Sequence, residues 1–482
     1  MKIRIKKIIK ENYLAILVVL IFALLHLPGI KTPPIDEHNW RQTDTAAVAR
    51  NFQFESPNIF LPRIDIRGQF SGITGMEFPV YNYILYIANS VFGYQHWHGR
   101  IITLFFGCVG LIFFYGFIKR RYTRSLANFS VSVMALLPVY FIFSKNIQPD
   151  IMMVSFLLAS LYYAQIFTEK HKDKYFYLML ATLALAVLIK IPSIFIIIPI
   201  CLILGKKVII KLVDKKKLII FVLVFVVPVL GWYLWSDYLS KSYGLGNYFY
   251  GNIAIADSLS LAIRKGFWRV IADYLLPLRF PFGALYLLGL IGVLYSLAKK
   301  NLLPLVWLLS FVLFIGIFAI KSFYHNYYVL PLLPPLALIV GIALDFIYRG
   351  MKKENRILSV TFVSILFIVA ILKMIPTTEN LYKPKIGSGY ANLDLISDKY
   401  IPENNIIITN ADVNPVMLYF ANRKGWSLPD SMLDERTLGS YIKSGAKFII
   451  IDKSFISSPM LKSLGDNHSR IHEDKDFIIF SI

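Results

Sequence analysis

The residues that could do chemistry gather in IDEHNWRQTDTAAVARNF, Ile35 to Phe52, where Asp36, Glu37, Arg41 and Asp44 follow directly on an apolar run of membrane-spanning length. Charges that close to a bilayer are costly to keep for packing alone, so a functional role is expected of them. Farther along, Glu77 in MEFPVYNYI, Asp150 in KNIQPDIMM and Lys190 in VLIKIPS sit where apolar segments begin or break. SFYHNYYVLPLLPP adds His325, Tyr327 and Tyr328 beside a proline-broken helix start. Acids and cations of these types suit transfer from a phosphate-linked donor. A carboxylate takes the proton of an acceptor hydroxyl, while cations neutralise the departing phosphate. Asp36, Glu37 and Asp44 are the candidate catalytic acids. Arg41, Lys190, His325, Tyr327 and Tyr328 are the candidates for the donor phosphate, and Glu77 and Asp150 complete an acidic cavity. Asp36, Glu37, Glu77 and Asp150 also offer oxygen donors to a hard divalent cation, and the same set works without one. Each residue has a plainer reading as well. Loop acids are commonly solvated, Asp150 suits a helix N-cap, Lys190 suits a snorkelling lysine, and tyrosines populate membrane belts.

These residues must be positioned by membrane helices. Across 482 residues, 56% are hydrophobic and 17% charged, and the mean hydropathy is +0.59. That exceeds what one soluble core hides, which makes the chain a polytopic helical membrane protein. The net charge of +22 lies in short loops between apolar runs, as membrane topology requires, so nucleic acid is not an expected partner. Cys108 and Cys201 fall inside apolar runs and are read as packing residues, neither disulfide nor metal ligand.

The basic stretch MKIRIKKIIKEN leads into an apolar run from Tyr13 to Ile30 with no small-residue cleavage site, hence a retained first helix with a cytoplasmic N-terminus. Further spans are expected near Arg100–Ile118, Ser125–Phe143, Ile151–Phe167, Phe176–Ile189, Ile191–Leu204, Leu218–Trp235, Phe282–Leu297, Leu302–Ile320, Tyr328–Ile347 and Ile357–Lys373, about eleven in all. Tyr81–Phe92 is apolar but short and is read as an interfacial helix. The lysine- and arginine-rich loops then share the cytoplasmic side of a plasma (inner) membrane. The opposite, extracytoplasmic side receives residues 31–99, residues 237–279 with Arg264, Trp268, Arg269 and Tyr274, and the tail. After the acidic pair, NWRQTDTAAVARNF is expected to lie in the interface as a helix with Trp40, Ala47, Val48 and Phe52 toward lipid.

Residues 1–375 thus form the membrane unit, and 376–482 are expected to form a small extracytoplasmic α/β domain. Its strands are read at Asn404–Thr409, Ala446–Lys453 and Asp476–Ile482, with helical pieces near Pro415–Asn422 and Leu433–Ser444. No glycine-rich phosphate loop opens either piece, which speaks against nucleotide binding there.

The order of motifs resembles one family. The acidic pair after the first helix, a helix ending in AVARNF, Glu-x-Pro with FPVYNYILYIANSVFG, Trp97-x-x-Arg100, the Gln148–Asp150 QPD, IKIPS around Lys190 and YHNYYVLPLLPP are similar to bacterial relatives of protein O-mannosyltransferases and lipid A aminoarabinose transferases. These are GT-C glycosyltransferases of the family 39 and 83 type. The resemblance implies inverting transfer of a sugar from a polyprenyl-phosphate carrier to a glycan, lipid or protein acceptor at the outer face, among membrane lipids. It implies Asp36 as catalytic base with Glu37 beside it, Glu77 and Asp150 as further acids of the cavity, Lys190 near the donor phosphate, and Arg100 in a structural role. NWRQTD lengthens the stretch between the acidic pair and AVARNF relative to that family, which makes Asp44 a rival to Asp36. A transporter or flippase of a lipid-linked sugar is the main alternative, and would be expected to carry ionisable groups at mid-bilayer depth. A polymerase or ligase using polyprenyl carriers would be expected to show late arginines in a large outer loop, to which Arg264 and Arg269 are a partial match.

Overall fold

The computed structural model describes residues 2–211, 215–243, 245, 255–275, 283–412 and 414–482. The apolar runs expected above as spans are helical over most of their described residues. The first half builds α1 (Lys2–His26), α2 (Asn39–Phe54), α3 (Val80–Phe92), α4 (His96–Arg121), α5 (Arg124–Leu136), α6 (Pro138–Phe143), α7 (Asp150–Lys170) and α8 (Asp173–Ile189). A 3-10 turn at Ile191–Ile196 leads to α9 (Ile197–Lys211), and a π-helical turn at Val222–Val226 joins α10 (Lys215–Phe221) to α11 (Val227–Ser242). There follow α12 (Ile255–Ala262), α13 (Lys265–Leu275), α14 (Gly283–Ala298), α15 (Leu303–Ile317), α16 (Ala319–Tyr324), a 3-10 stretch Asn326–Leu332, α17 (Leu333–Glu354) and α18 (Arg356–Tyr382). The run expected as one span at Ser125–Phe143 is broken at Leu137, which is extended because Pro138 follows. Part of the outer loop expected at 237–279, including Arg279, and part of the basic loop after Lys206 lie outside the described residues.

Among the described residues, His96–Arg121, Asp150–Lys170, Lys215–Ser242 and Asn326–Glu354 are long and apolar enough to cross a membrane. α7 lies at the centre, packed on α4 and α8, while α17 packs on α5 and α14. The Lys215–Ser242 helix instead exposes Leu218, Leu223, Leu230 and Leu234, a surface suited to hydrocarbon and not to water. α3 has two unlike faces, burying Tyr81, Asn82, Leu85 and Asn89 while exposing Ile87, Val91 and Phe92.

α18 runs past Pro376 to Tyr382, and beyond it come α19 (Leu393–Tyr400), β1 (Ile406–Thr409), α20 (Val416–Phe420), β2 (Lys424–Ser427), α21 (Glu435–Lys443), β3 (Ala446–Asp452), α22 (Ser458–Asn467), β4 (Ser469–Glu473) and β5 (Phe477–Ser481). The sheet has the order β2-β1-β3-β5-β4; β1 is parallel to β2 and β3, and β5 is antiparallel to β3 and β4. Ile407, Ile450 and Ile479 join the core shared with α20, whereas Ile408, Ile449, Ile451 and Ile478 pack with Leu438 and Leu464 of α21 and α22. Burial on both faces explains the unbroken isoleucine runs. The first loop docks on this sheet: Ile66 bridges Gly425 in parallel, and the Gly425 N–H donates to the Asp65 carbonyl at 3.2 Å.

α2 departs from the sequence expectation. Ala47, Val48 and Phe52 are buried in protein and do not face lipid. Small Ala46, Ala47 and Ala49 let neighbouring backbones approach closely, and Arg41 and Arg50 find partners inside the protein, so no lipid face is needed.

Candidate active site

Four breaks in regular helix bring the polar residues together. Glu77 precedes Pro79, the N-cap of α3; Asp150 follows Pro149 at the start of α7; Lys190 leaves α8 in an extended conformation before Pro192; and His325 to Tyr328 precede Pro331. A proline denies the preceding residue helical geometry or removes a donor, which turns these side chains out of the bundle's regular packing.

The cavity they surround measures about 430 Å³ and is lined by Trp40, Arg41 and Asp44 of α2, Glu77, Lys190, Lys321, His325, Tyr327, Tyr328, Asp412 and Asn414. Arg41 donates to Glu77 Oε1 at 2.7 Å and lies 4.0 Å from Asp44 Oδ2. Asp44 is 1% exposed, and neither of its oxygens finds a hydrogen-bond partner among the described residues. Burial pushes its pKa up to about 7, opposed by Arg41 and reinforced by Asp65 and Glu77. Across the cavity Lys190 pairs with Asp150 and stands over the rings of Tyr327 and Tyr328, 4.3 and 4.7 Å from their centroids. The His325 ring stacks with Tyr327 at 5.2 Å. Burial lowers the pKa of His325 to about 3, helped by Lys190, His38, Lys321 and Arg41, so a neutral imidazole sits within a positive field.

Asp36 lies elsewhere. It is 1% exposed and Arg100 is 0% exposed; the guanidinium contacts Asp36 Oδ2 at 3.1 Å and Oδ1 at 3.2 Å. Gln42 donates to Oδ1 at 2.6 Å, and Arg100 also holds the Thr32 and Pro33 carbonyls, each at 2.9 Å. The acid placed first by sequence is thus absent from the cavity lining and clamps the start of the first loop to α4, because a buried arginine has claimed it. Glu37 faces Lys385 at 3.6 Å and His38 at 3.8 Å, also off the lining. The acids weighed as an oxygen-donor set do not converge. Asp36 goes to Arg100, Glu37 to Lys385, Glu77 to Arg41 and Asp150 to Lys190. Among the described residues no group of three His, Cys, Asp or Glu could hold a metal ion.

Lys321, Asp412 and Asn414 were missed in the sequence. Lys321 ends an apolar run much as Lys190 does, a signal that was present. Asp412 and Asn414 follow β1 in TNADVNP, at the carboxyl end of a parallel strand, where ligand-facing residues are common.

Comparisons with known proteins agree with this architecture. Residues 77–232 match the family described as dolichyl-phosphate-mannose-protein mannosyltransferase. The structure is similar to ArnT from Cupriavidus metallidurans bound to undecaprenyl phosphate, at 11% identity over 98% of each chain with a TM-score of 0.63. It is also similar to the apo oligosaccharyltransferase of Archaeoglobus fulgidus, at 14% identity over 92% of this chain and 70% of that one, with a TM-score of 0.62. A search of curated protein sequences finds no match. The matched region lies in the half of the chain that contributes Glu77 and Lys190 to the cavity, and the shared fold spans membrane helices and C-terminal sheet alike: the chain is a membrane protein of the GT-C glycosyltransferase fold.

Proposed function

We propose that the protein transfers a sugar from a polyprenyl-phosphate donor to a hydroxyl-bearing acceptor at the extracytoplasmic face of the plasma membrane, with Asp44 as general base. One observation carries the reading. An acid without hydrogen-bond partners among the described residues shares a cavity with Lys190, Lys321 and His325. The ArnT structure similar to this one holds undecaprenyl phosphate, which supports a lipid phosphate as the leaving group. The acceptor O–H gives its proton to the Asp44 carboxylate, and the oxygen bonds to the anomeric carbon from the face opposite the phosphate. The anomeric C–O(phosphate) bond breaks, its electron pair leaves on the phosphate, and Arg41, Lys190 and Lys321 offset the added charge. The tyrosine rings and the Asp150 carboxylate hold Lys190 in place.

In this reading Asp36 is a positioning residue. About eleven spans with the N-terminus cytoplasmic, and residues 31–99 and 376–482 extracytoplasmic, remain the topology proposed. The test is release of lipid phosphate by the purified protein from a panel of polyprenyl-phosphate sugars. Turnover with at least one donor, lost in Asp44→Asn, is expected. No turnover with any donor, alongside substrate-dependent uptake into proteoliposomes, would replace the transferase by a transporter.

A further inference from the structure

The strand order reverses at β1: the chain leaves it sideways to β2 and crosses back to β3 on its other flank. In open sheets of this kind, the crevice outside the carboxyl ends of the strands at such a point is where ligands bind. Here that crevice is a cavity of about 360 Å³, and Tyr390, Asn410, Asp412, Asn414, Asp430 and Phe455 are among its lining residues. Its floor is rigid. Asn410 bridges the strand ends, donating to the Asp452 carbonyl at 2.9 Å and accepting from the Asp452 N–H at 2.7 Å, while the Tyr390 hydroxyl donates to Asp452 Oδ2 at 2.7 Å. Asp430 accepts from the Ser457 N–H through Oδ2 at 3.2 Å, and its buried Oδ1 has no hydrogen-bond partner among the described residues. Phe455 is 54% exposed, leaving an aromatic face bare beside these acceptors.

Asp412 and Asn414 line this crevice and the reaction cavity alike. The two cavities also differ in charge. The reaction cavity carries Arg41, Lys190 and Lys321; among the described residues the lining of the crevice has no lysine or arginine, in a chain whose net charge is +22. An acidic, amide-bearing crevice with an exposed ring repels phosphate, accepts hydrogen bonds from hydroxyl groups and covers the apolar C–H face of a sugar ring. We propose that the crevice is the acceptor subsite and takes an uncharged, hydroxyl-rich glycan in preference to a phosphorylated one; its role as acceptor site rests on the transferase reading of the adjoining cavity.

The test is retention of the detergent-solubilised full chain on immobilised neutral oligosaccharides and on their phosphorylated counterparts, with undecaprenyl phosphate binding measured on the same preparation. Neutral glycans are expected to be retained, and phosphorylated ones about tenfold more weakly, since a phosphate there faces the Asp412 and Asp430 carboxylates without a cation to offset it among the described lining residues. Asp430→Lys is expected to invert the preference. Phe455→Ser, at an exposed position that folding tolerates, is expected to weaken retention of neutral glycans about tenfold. No retention of neutral glycans, equal retention of phosphorylated ones, or an unchanged Phe455→Ser protein would each overturn the proposal, even with lipid phosphate still bound. Glycan retention without any lipid-phosphate binding would instead sink the transferase reading and leave the crevice as a glycan site.

Discussion

Asp36 and Asp44 come from one short segment and are equally buried, yet their surroundings are opposite. Asp36 meets a guanidinium and an amide; Asp44 has an arginine at the edge of contact and no hydrogen bond among the described residues. Burial alone therefore says little about function. A buried acid paired closely with a buried guanidinium stabilises the fold, whereas one with no hydrogen bond among the described residues and facing a cavity is suited to exchange a proton.

The sharpest way to break this contrast is to neutralise each acid. Asp44→Asn is expected to lower transfer about 10²–10⁴-fold while leaving the thermal transition no lower, because the buried charge it removes is offset only by Arg41 at 4.0 Å. Asp36→Asn is expected to do the reverse. Stranding the buried Arg100 costs about 3–5 kcal/mol of stability, seen as a lower unfolding temperature, while the protein that remains folded keeps its turnover. Equal loss of turnover per folded molecule in both variants would erase the distinction.

A second, smaller effect lies in pH. Under the proposed role of Asp44 as base, transfer requires it ionised, so the rate should rise with pH through a midpoint near 7 and level off above it. Stability runs the other way. Between the ordinary carboxylate range and that midpoint the folded protein keeps a proton that the unfolded chain gives up, so stability falls as pH rises across that window. Glu77→Gln removes a negative neighbour and frees Arg41 for Asp44, and should move the midpoint of the rate profile down. An unmoved midpoint would mean that another group governs the profile.

Much of this was legible beforehand, and the failures are physical. Long apolar runs announce helices, and isoleucine runs announce strands buried on both faces. β2 and β4 escaped notice because KGWS and SRIHE lie at the two edges of the sheet, where apolar continuity is not required. α2 misled because its alanines and valine resemble a lipid-facing stripe, while only tertiary contacts reveal the protein covering them. That Asp36 lies off the cavity lining was not legible because its partner, Arg100, lies far along the chain. Asp412 and Asn414 could not be joined to Asp44 by any local pattern.

The smallest expected effect concerns His325. Its lowered pKa depends partly on Lys190, Lys321 and Arg41, so a bound lipid phosphate, by offsetting those charges, should raise it. Histidine resonances followed through a pH titration with and without undecaprenyl phosphate would register the change. No shift on saturation would place the phosphate away from this wall.

α2 has a mechanical consequence. Near its start it holds Asp44 at the cavity; about 9 Å farther along, at a helical rise of 1.5 Å per residue, Arg50 grips the Tyr419 carbonyl and Asp65. Asn51, close by, meets Lys424 of β2 and Asp65. The helix is a strut between the sheet and the reacting acid. Any tilt of the sheet against the helices is delivered along it, so under the proposed function the stiffness of this joint sets how accurately Asp44 meets an arriving hydroxyl.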